Sequence, residues 1–187
     1  MDASLMELVE KLLQMDEEER RKVAAALLNS LPDTPLGTEL FDAVAKKTVS
    51  CCIELVVVSG EYPIEVLLKR RADNDTAYPG QWHCPGTFLR PGESYWSALE
   101  RLAKTELLGA NLVEPTLAFL QDPIVEERGS VVQVVMLSRI ENVPEIGDLK
   151  WVDLDAACSG QVPGIIENHR RMILPCARVC FGSYRPS

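Results

Sequence analysis

A loop and a helix between residues 80 and 109 carry the residue types that could do chemistry. Gly86 lies in a glycine- and proline-rich loop, and the segment that follows it carries Glu93, Arg101 and Glu106. A backbone carbonyl and a carboxylate that converge on one point are oxygen ligands of the kind that a hard divalent cation prefers. Such a cation can bind on one side of a phosphate group and polarise it. The pattern therefore indicates a metal-assisted reaction at a phosphate.

This segment resembles the Nudix box, a motif written G-x5-E-x7-R-E-U-x-E-E-x-G-U in which U is aliphatic. Thr87 stands at the first glycine position, Glu93 at the first glutamate, Arg101 at the arginine and Glu106 at the last glutamate. The residues that replace the other two helix glutamates are Leu102 and Thr105. The box is therefore recognisable but depleted, and the resemblance extends more weakly over residues 48–152.

The pattern around Glu106 is similar to the GDP-mannose mannosyl hydrolase branch of the family, which lacks the same two glutamates. The resemblance implies that Glu106, the Gly86 carbonyl and a downstream side chain hold one Mg²⁺ or Mn²⁺ ion. It also implies that Glu93 supports the loop and contributes to the metal site. A salt bridge is the alternative role for Glu106, and helix capping is the alternative for Glu93.

A downstream turn supplies the candidates for a general base. Glu145 lies six residues before Trp151, which is the spacing of the downstream metal ligand in the mannosyl hydrolase branch. The branch has its catalytic histidine next to that ligand, but this chain has Ile146 there. Glu145 or Asp148 could act as the base instead, because the task needs only a positioned group that accepts a proton. A solvated turn charge is the alternative for both.

One arginine and the two histidines are further residues whose side chains could act at a binding site. Arg71 matches the family arginine after the second strand, and its guanidinium could bind a substrate phosphate with two parallel hydrogen bonds. An ordinary ion pair is the alternative for Arg71. For His83 we expect a structural role, and for His169 we expect a place on a surface helix.

Hydrophobic periodicity predicts the elements that must position these residues. Residues 1–31 form two helices, a hairpin whose apolar stripes need a partner surface, either the main domain or a second subunit of a homodimer. Residues 38–187 form the main domain, which begins with a short helix at 39–46. Strands are predicted at 48–59, 65–71, 82–89, 113–121, 130–141 and 149–152, and helices at 94–108 and 164–180. The expected architecture is the Nudix α/β/α sandwich with a mixed sheet.

Composition narrows the classes of partner and compartment. The formal net charge of −9 disfavours binding to a nucleic acid, because the surface repels a phosphate backbone. No apolar run approaches the roughly 18 residues of a membrane span, and the first residues lack the pattern of a signal peptide. The six cysteines have no metal-binding spacing and are interpreted as reduced thiols. We therefore expect a cytoplasmic protein with a small-molecule ligand.

These observations favour a Mg²⁺-dependent Nudix hydrolase that cleaves a nucleoside diphosphate linked to a sugar or a similar group. In this hypothesis Glu106 and Glu145 are catalytic, Arg71 binds the substrate, and Glu106, Glu93 and Gly86 hold the metal. A second hypothesis is a Nudix-fold module that has lost catalysis and binds a nucleotide or a protein. A third is an interaction protein that acts through its helical hairpin, with the Nudix-like domain as a scaffold.

Overall fold

Two helices make up most of the first of the two units into which the chain divides. The computed structural model describes residues 2–32, 36–59, 63–141 and 147–181, and the units are Met1–Phe41 and Asp42–Ser187. In the first unit, α1 spans Ala3–Gln14 and α2 spans Glu17–Ser30. The side chains of Asp2 and Asp16 cap these helices by accepting hydrogen bonds from backbone N–H groups.

The two helices expected at residues 1–31 are therefore present, but their apolar side chains are largely exposed. Leu8, Leu13 and Leu27 are each more than half exposed. The packing of the two helices as a hairpin stays a prediction, and so does their partner surface, either the main domain or a second subunit. The next helix, α3, spans Thr38–Ala45.

A seven-stranded sheet lies at the centre of the second unit, within the described residues. Its strand order is β3-β2-β1-β6-β5, with β4 paired to β1 and β7 paired to β2. The pairing of β1 with β6 is parallel and the others are antiparallel, so the sheet is mixed. The strands are β1 Val49–Val58, β2 Glu65–Arg70, β3 Trp82–His83, β4 Gly86–Phe88, β5 Asn111–Glu126, β6 Gly129–Glu141 and β7 Leu149–Asp153.

Helices cover both faces of this sheet. On one face, α4 (Tyr95–Glu106) packs its buried leucines against side chains of β1, β2 and β6. On the other face, a second core cluster joins the sheet to α5 (Leu154–Ser159), to a π-helical turn (His169–Ile173) and to α6 (Pro175–Phe181). Strands with alternate side chains buried on both faces need such double cover. The expected α/β/α sandwich with a mixed sheet and N-terminal helices is confirmed.

The C-terminal helix differs from the continuous helix predicted at residues 164–180. Gly164 has a positive φ of 76°, and the next residue, Ile165, forms a parallel bridge with Trp82, so the helical path begins only at residue 167. Further along, the N–H of Leu174 donates to the carbonyl of His169, five residues back. Pro175 has no N–H to continue the ladder, which explains why α6 begins there as a separate helix.

Two other elements differ from the sequence prediction. Strand β5 is longer than the segment 113–121, because register shifts in its pairing with β6 accommodate Pro115 and Pro123. The short helix α5 was not predicted, since six residues are too few to show a helical period. It is capped by Asp153, whose carboxylate accepts from the N–H of Ala156.

In the part of the chain that the structure describes, no helix is long and apolar enough to cross a membrane. Cys51, Cys52, Cys84 and Cys158 form no disulfide.

The burial of Leu102 explains one of the two losses from the box. Its side chain is 0% exposed and packs in the cluster between α4 and the sheet. By contrast, Thr105 is exposed and its hydroxyl donates to the carbonyl of Arg101. A carboxylate at position 102 would therefore have to enter the apolar core, whereas one at position 105 would stay in water.

We expect Leu102→Glu to lower the free energy of unfolding by about 3 kcal/mol or more, because it removes core contacts and buries a carboxylate. Thr105→Glu should change it by less than about 1 kcal/mol, because the side chain stays exposed. Urea denaturation of both variants and the wild type measures the difference. Equal stability of the two variants would contradict this placement of Leu102.

Candidate functional site

The side chain of Arg101 ties the box loop to α4. It donates to both carboxylate oxygens of Glu93 at 2.7 and 2.8 Å, to the hydroxyl of Thr87 at 2.7 Å and to the carbonyl of Phe88 at 2.9 Å. Glu93 also accepts from the N–H of Arg90 at 3.0 Å. A planar guanidinium with several donors can hold three points of a loop at once. The loop that contains Gly86 is thereby held against the helix that ends at Glu106.

Glu93 is committed to this network. Its hydrogen bonds from Arg101, against the opposing effect of burial, lower its pKa to about 2. The structure thus places Glu93 in the loop-supporting role that the family resemblance implies. Its second expected role, as a metal ligand, stays a prediction, and it would require the carboxylate to share its oxygens with Arg101.

Gly86 presents a backbone carbonyl that its strand pairing does not use. Gly86 lies opposite Glu54 in the antiparallel pair of β4 and β1, and the adjacent pair is bonded through the N–H of Leu55 and the carbonyl of Pro85 at 2.8 Å. Because bonded and non-bonded pairs alternate along an antiparallel ladder, the Gly86 carbonyl makes no bond to β1. A side chain at this position would have to displace the Glu54 carboxylate, since a Cβ would lie 2.5 Å from Glu54 Oε2.

Gly86 and Glu106 line the same cavity, which we call the box cavity. Its wall also includes three consecutive basic residues at the end of β2, which are Lys69, Arg70 and Arg71, and the carboxylate of Asp148 from the turn before β7. The loop glycine and the helix glutamate singled out in the sequence are therefore brought together, beside three basic side chains and two further carboxylates, Asp75 and Asp148.

Lys69 contacts the carboxylate that was expected to hold the metal. Its Nζ forms an ion pair with Glu106 Oε2 and lies 3.8 Å from Asp148 Oδ2, and its side chain is only 18% exposed. The salt-bridge role left open for Glu106 is thus present, with a lysine from β2 as the partner. Asp148 Oδ1 is buried and finds no hydrogen-bond donor among the described residues. An oxygen of this kind is available to a cation or to a water molecule.

The box cavity fits a single divalent cation if the substrate supplies part of its coordination. Glu106, Asp148 and the Gly86 carbonyl offer hard oxygen donors. Within the described stretches, however, no three His, Cys, Asp or Glu side chains are close enough together to hold a metal by themselves. Mg²⁺ is commonly bound by one or two carboxylates together with substrate phosphates and water, which this donor set allows. Glu145 lies outside the described residues, so its expected role stays a prediction.

Arg71 lies between the box cavity and a second, adjoining cavity of about 190 Å³. Its Nη1 donates to Asp75 at 3.1 Å and its guanidinium lies 5.7 Å from the centre of the Tyr78 ring. Its Nε is buried and has no partner among the described residues. The ion pair with Asp75 that the sequence left open is therefore present. Arg71 also retains a donor for a ligand.

We call the second cavity the side cavity. It shares Arg71 and Gly86 with the box cavity and extends over the β1, β5 and β6 side of the box loop. The other polar and aromatic residues that line it include Ser50, Glu54, Tyr78, Phe88, Glu126, Ser130 and His169. The cavity is smaller than the roughly 300 Å³ at which sites for whole small ligands begin, so it suits one group of a larger ligand.

Burial controls the charge of two groups in the side cavity. Desolvation, reinforced by the neighbouring charge of Glu126, raises the pKa of Glu54 to about 8. Desolvation and the charge of Arg71 lower the pKa of His169 to about 3. The Nδ1 of His169 accepts a hydrogen bond from the N–H of Cys84 at 3.1 Å, which is consistent with a neutral ring. Both groups are thus largely neutral near pH 7.

The prediction of a surface position for His169 was wrong. Its side chain is 3% exposed and lies 3.9 Å from Glu54, because the start of the last helical segment packs under the box loop. His83 is also buried and lines the box cavity, so the structural role expected for it stays a prediction.

Sequence reasoning missed Lys69, Glu54 and Glu126. A signal for Glu54 was present, because it is the one charged residue in the otherwise apolar run from Ile53 to Val58, and a charge inside a buried strand needs a reason. For Glu126 no local signal exists. It lies in an exposed edge strand with acidic neighbours, and only its tertiary contacts set it apart.

The sequence profile of the NUDIX domain matches residues 53–174, which is more than half of the chain. The chain therefore belongs to the Nudix family. A comparison with curated proteins finds no relative of similar sequence.

Solved structures share the fold at low sequence identity. A mutT/nudix family protein from Listeria innocua is 16% identical over 73% of this chain and 96% of its own, with a TM-score of 0.52. A NUDIX hydrolase from Nitrosomonas europaea is 15% identical over 74% and 92%, with a TM-score of 0.54. The NUDIX domain of NrtR from Shewanella oneidensis, complexed with ADP ribose, is 20% identical over 78% and 99%, with a TM-score of 0.50.

The raised pKa of Glu54 predicts a pH dependence of stability. Between about pH 4.5 and 8 the folded state holds a proton that the unfolded state releases, so the contribution of Glu54 to stability is lost as the pH rises. The free energy of unfolding of Glu54→Gln should therefore gain on that of the wild type through this window, by at most about 1.4 kcal/mol per pH unit. Denaturant unfolding from pH 4 to 9 measures it.

Glu100→Gln, on the exposed face of α4, is the matched control and should follow the wild type at every pH. Curves for Glu54→Gln and the wild type that stay parallel from pH 4 to 9 would show that Glu54 titrates normally.

Proposed function

We propose that this Nudix-family chain is a hydrolase that cleaves a nucleoside diphosphate linked to a sugar or another moiety, with the assistance of Mg²⁺ or Mn²⁺. One observation carries the proposal. Glu106 and Gly86, separated by twenty residues, line one cavity together with the basic side chains of Lys69, Arg70 and Arg71. A diphosphate needs such cations, and the carboxylate and carbonyl between them are ligands for a metal.

Different residues would bind the metal, bind the phosphates and accept the proton. Glu106 and the Gly86 carbonyl would hold the metal, which supplies a Lewis acid that neutralises charge developing on the diphosphate. Arg71 and Lys69 bind phosphate oxygens. A carboxylate, Glu145 or Asp148, would accept a proton from water as the water oxygen forms a bond to the attacked phosphorus or sugar carbon. The bond from that atom to the oxygen of the leaving group breaks at the same time, and its electrons go to that oxygen.

In the proposed reaction, Lys69 changes its ionic partner when the substrate binds. Its ammonium pairs with Glu106 in the structure. When phosphates enter the cavity, they offer Lys69 a stronger anionic partner, and Glu106 becomes available as a ligand. Lysine is suited to such an exchange, because its charge sits on a flexible stem with rotatable donors.

A small anionic ligand fits the charge of the whole chain. With a net charge of −9, the surface repels large polyanions, so the cations of the box cavity select for a compact phosphate compound. We propose the cytoplasm as the compartment, since nucleoside diphosphate compounds are produced there and Cys51, Cys52, Cys84 and Cys158 form no disulfide.

A second candidate function is binding without turnover. Its support is the ion pair of Lys69 with Glu106, together with the burial of Leu102 at the position of a box glutamate. In this case Lys69 itself supplies the cation and a nucleotide ligand is recognised but not cleaved. The NUDIX domain of NrtR complexed with ADP ribose is a structure of a related fold with such a ligand.

Hydrolysis with product analysis separates the two functions. With Mg²⁺ present, the wild type should cleave at least one member of a panel of nucleotide sugars, and Glu106→Gln should lose about 100-fold or more of kcat/KM, because a metal ligand is removed. Glu100→Gln, with the same change of charge on the exposed face of the same helix, should retain activity.

The products identify the bond that breaks. A released monophosphate indicates attack at phosphorus, and a released diphosphate indicates attack at the sugar carbon, as in the mannosyl hydrolase branch. If no member of the panel is cleaved while nucleotides bind equally with Mg²⁺ and with EDTA, the chain is a binding module.

A further inference from the structure

The side cavity is the one part of the pocket that the proposed hydrolysis does not use. It joins the box cavity at Arg71 and Gly86, so a ligand whose phosphates contact Arg71 can extend directly into it. Its volume of about 190 Å³ suits one ring and its substituents. The group that occupies it would be a part of the substrate beyond the diphosphate.

The carboxylate of Glu126 is held in a fixed position at the wall of this cavity. Its Oε1 accepts from the side-chain amides of Asn168 at 3.2 Å and Gln133 at 3.3 Å. Asn168 also donates to the carbonyl oxygen of Gln133 at 2.7 Å and accepts from Gln121 at 3.4 Å. Both amide bonds to Glu126 use the same oxygen, so Oε2 keeps its capacity to accept.

This network joins distant parts of the chain and orients Glu126 among them. Gln121 and Gln133 come from β5 and β6, and Asn168 from the start of the last helical segment. Gln133 is 1% exposed, and a buried amide must be matched by partners on every side. The hydrogen bonds of this buried network hold the Glu126 carboxylate in one orientation.

A second polar group faces the same space. Glu54 Oε2 is buried and has no hydrogen-bond partner among the described residues. A buried polar atom without a partner is unfavourable, and a ligand hydroxyl relieves the penalty, because it can donate to this carboxyl group or accept from its protonated form. The hydroxyls of Ser50, Ser130 and Tyr78 on the wall can also donate or accept. The wall carries the guanidiniums of Arg71 and Arg128 as well, which pair with Asp75 and Asp42. The cavity therefore suits a ring with several hydroxyl groups.

We propose that the side cavity binds the sugar ring of the nucleoside diphosphate compound, and that Glu126 is a specificity-determining residue that accepts hydrogen bonds from the hydroxyls of that ring. The proposal rests on the proposed function, because it places the diphosphate at Arg71. Carboxylates recognise ring hydroxyls well, since both lone-pair-bearing oxygens accept and neither donates. An amino group on a nucleobase shares this donor chemistry, so the experiment must separate the sugar from the base.

Binding measured by calorimetry in EDTA makes the separation without depending on turnover. The probes are ADP ribose, ADP-glucose, UDP-glucose and GDP-mannose, each compared with its parent diphosphate, ADP, UDP or GDP. For the wild type, at least one sugar compound should bind about 10-fold or more tightly than its parent diphosphate. In Glu126→Gln this gain should fall to less than about 2-fold, while the affinity for the parent diphosphate stays within about 2-fold.

Glu127→Gln is the matched control, because it makes the same change of charge at the next residue, whose side chain is exposed. It should keep the full gain from the sugar. If Glu126→Gln does not fold, as judged by thermal unfolding, Glu126→Asp serves instead. It keeps the charge but withdraws the oxygens, and it should lose the gain as well.

Three results would overturn the proposal. The first is a wild type that gains nothing from any sugar over its parent diphosphate. The second is a gain that survives in Glu126→Gln. The third is an equal loss of affinity for sugar compound and parent, which would place the base in the side cavity. Failure of the proposed function appears separately, as binding of a sugar compound that Mg²⁺ never converts into hydrolysis.

Discussion

The hydrogen bonds of Arg101 are the constraint on which the pocket depends. A helix and the loop before it have no intrinsic reason to keep a fixed distance, yet Arg101 joins α4 to Glu93, Thr87 and Phe88. The loop glycine and the C-terminal end of the helix are therefore held at the edge of one cavity. Because Glu93 is engaged in this support, Glu106, the last residue of α4, is the carboxylate that the proposed function uses.

The depleted box affects the packing of α4, and the basic residues of β2 affect the charge of the box cavity. Where the family pattern would place a glutamate, this chain has Leu102, which stabilises the packing of α4 on the sheet. The walls of the box cavity hold three basic side chains together with the carboxylates of Asp75, Glu106 and Asp148. Lys69, mostly withdrawn from solvent, pairs with Glu106. In the proposed function, this arrangement of charges receives the phosphates of the substrate.

The side cavity contains buried polar groups, which are unfavourable to desolvate but can form hydrogen bonds to a ligand. Glu54 is largely protonated near neutral pH because its strand is apolar on both sides, and His169 stays neutral for the same reason. Glu126 keeps more access to solvent and is oriented by two amides. Neutral and oriented groups discriminate among ligands by hydrogen-bond direction, whereas the cations next to them discriminate by charge. In the proposed function, the side cavity would therefore discriminate by hydrogen-bond direction and the box cavity by charge.

The local sequence determined the elements and the box. Strand and helix periods predicted most of the sandwich, because alternation and helical spacing depend only on which face is buried, and the spacing of Gly86, Glu93, Arg101 and Glu106 indicated a phosphate site. Only the tertiary structure decided that Lys69 faces Glu106, that His169 is buried, and that Glu126 and Asn168, 42 residues apart, meet beside Glu54. These contacts join distant strands and helices, and no local period encodes the partner of a side chain across a sheet.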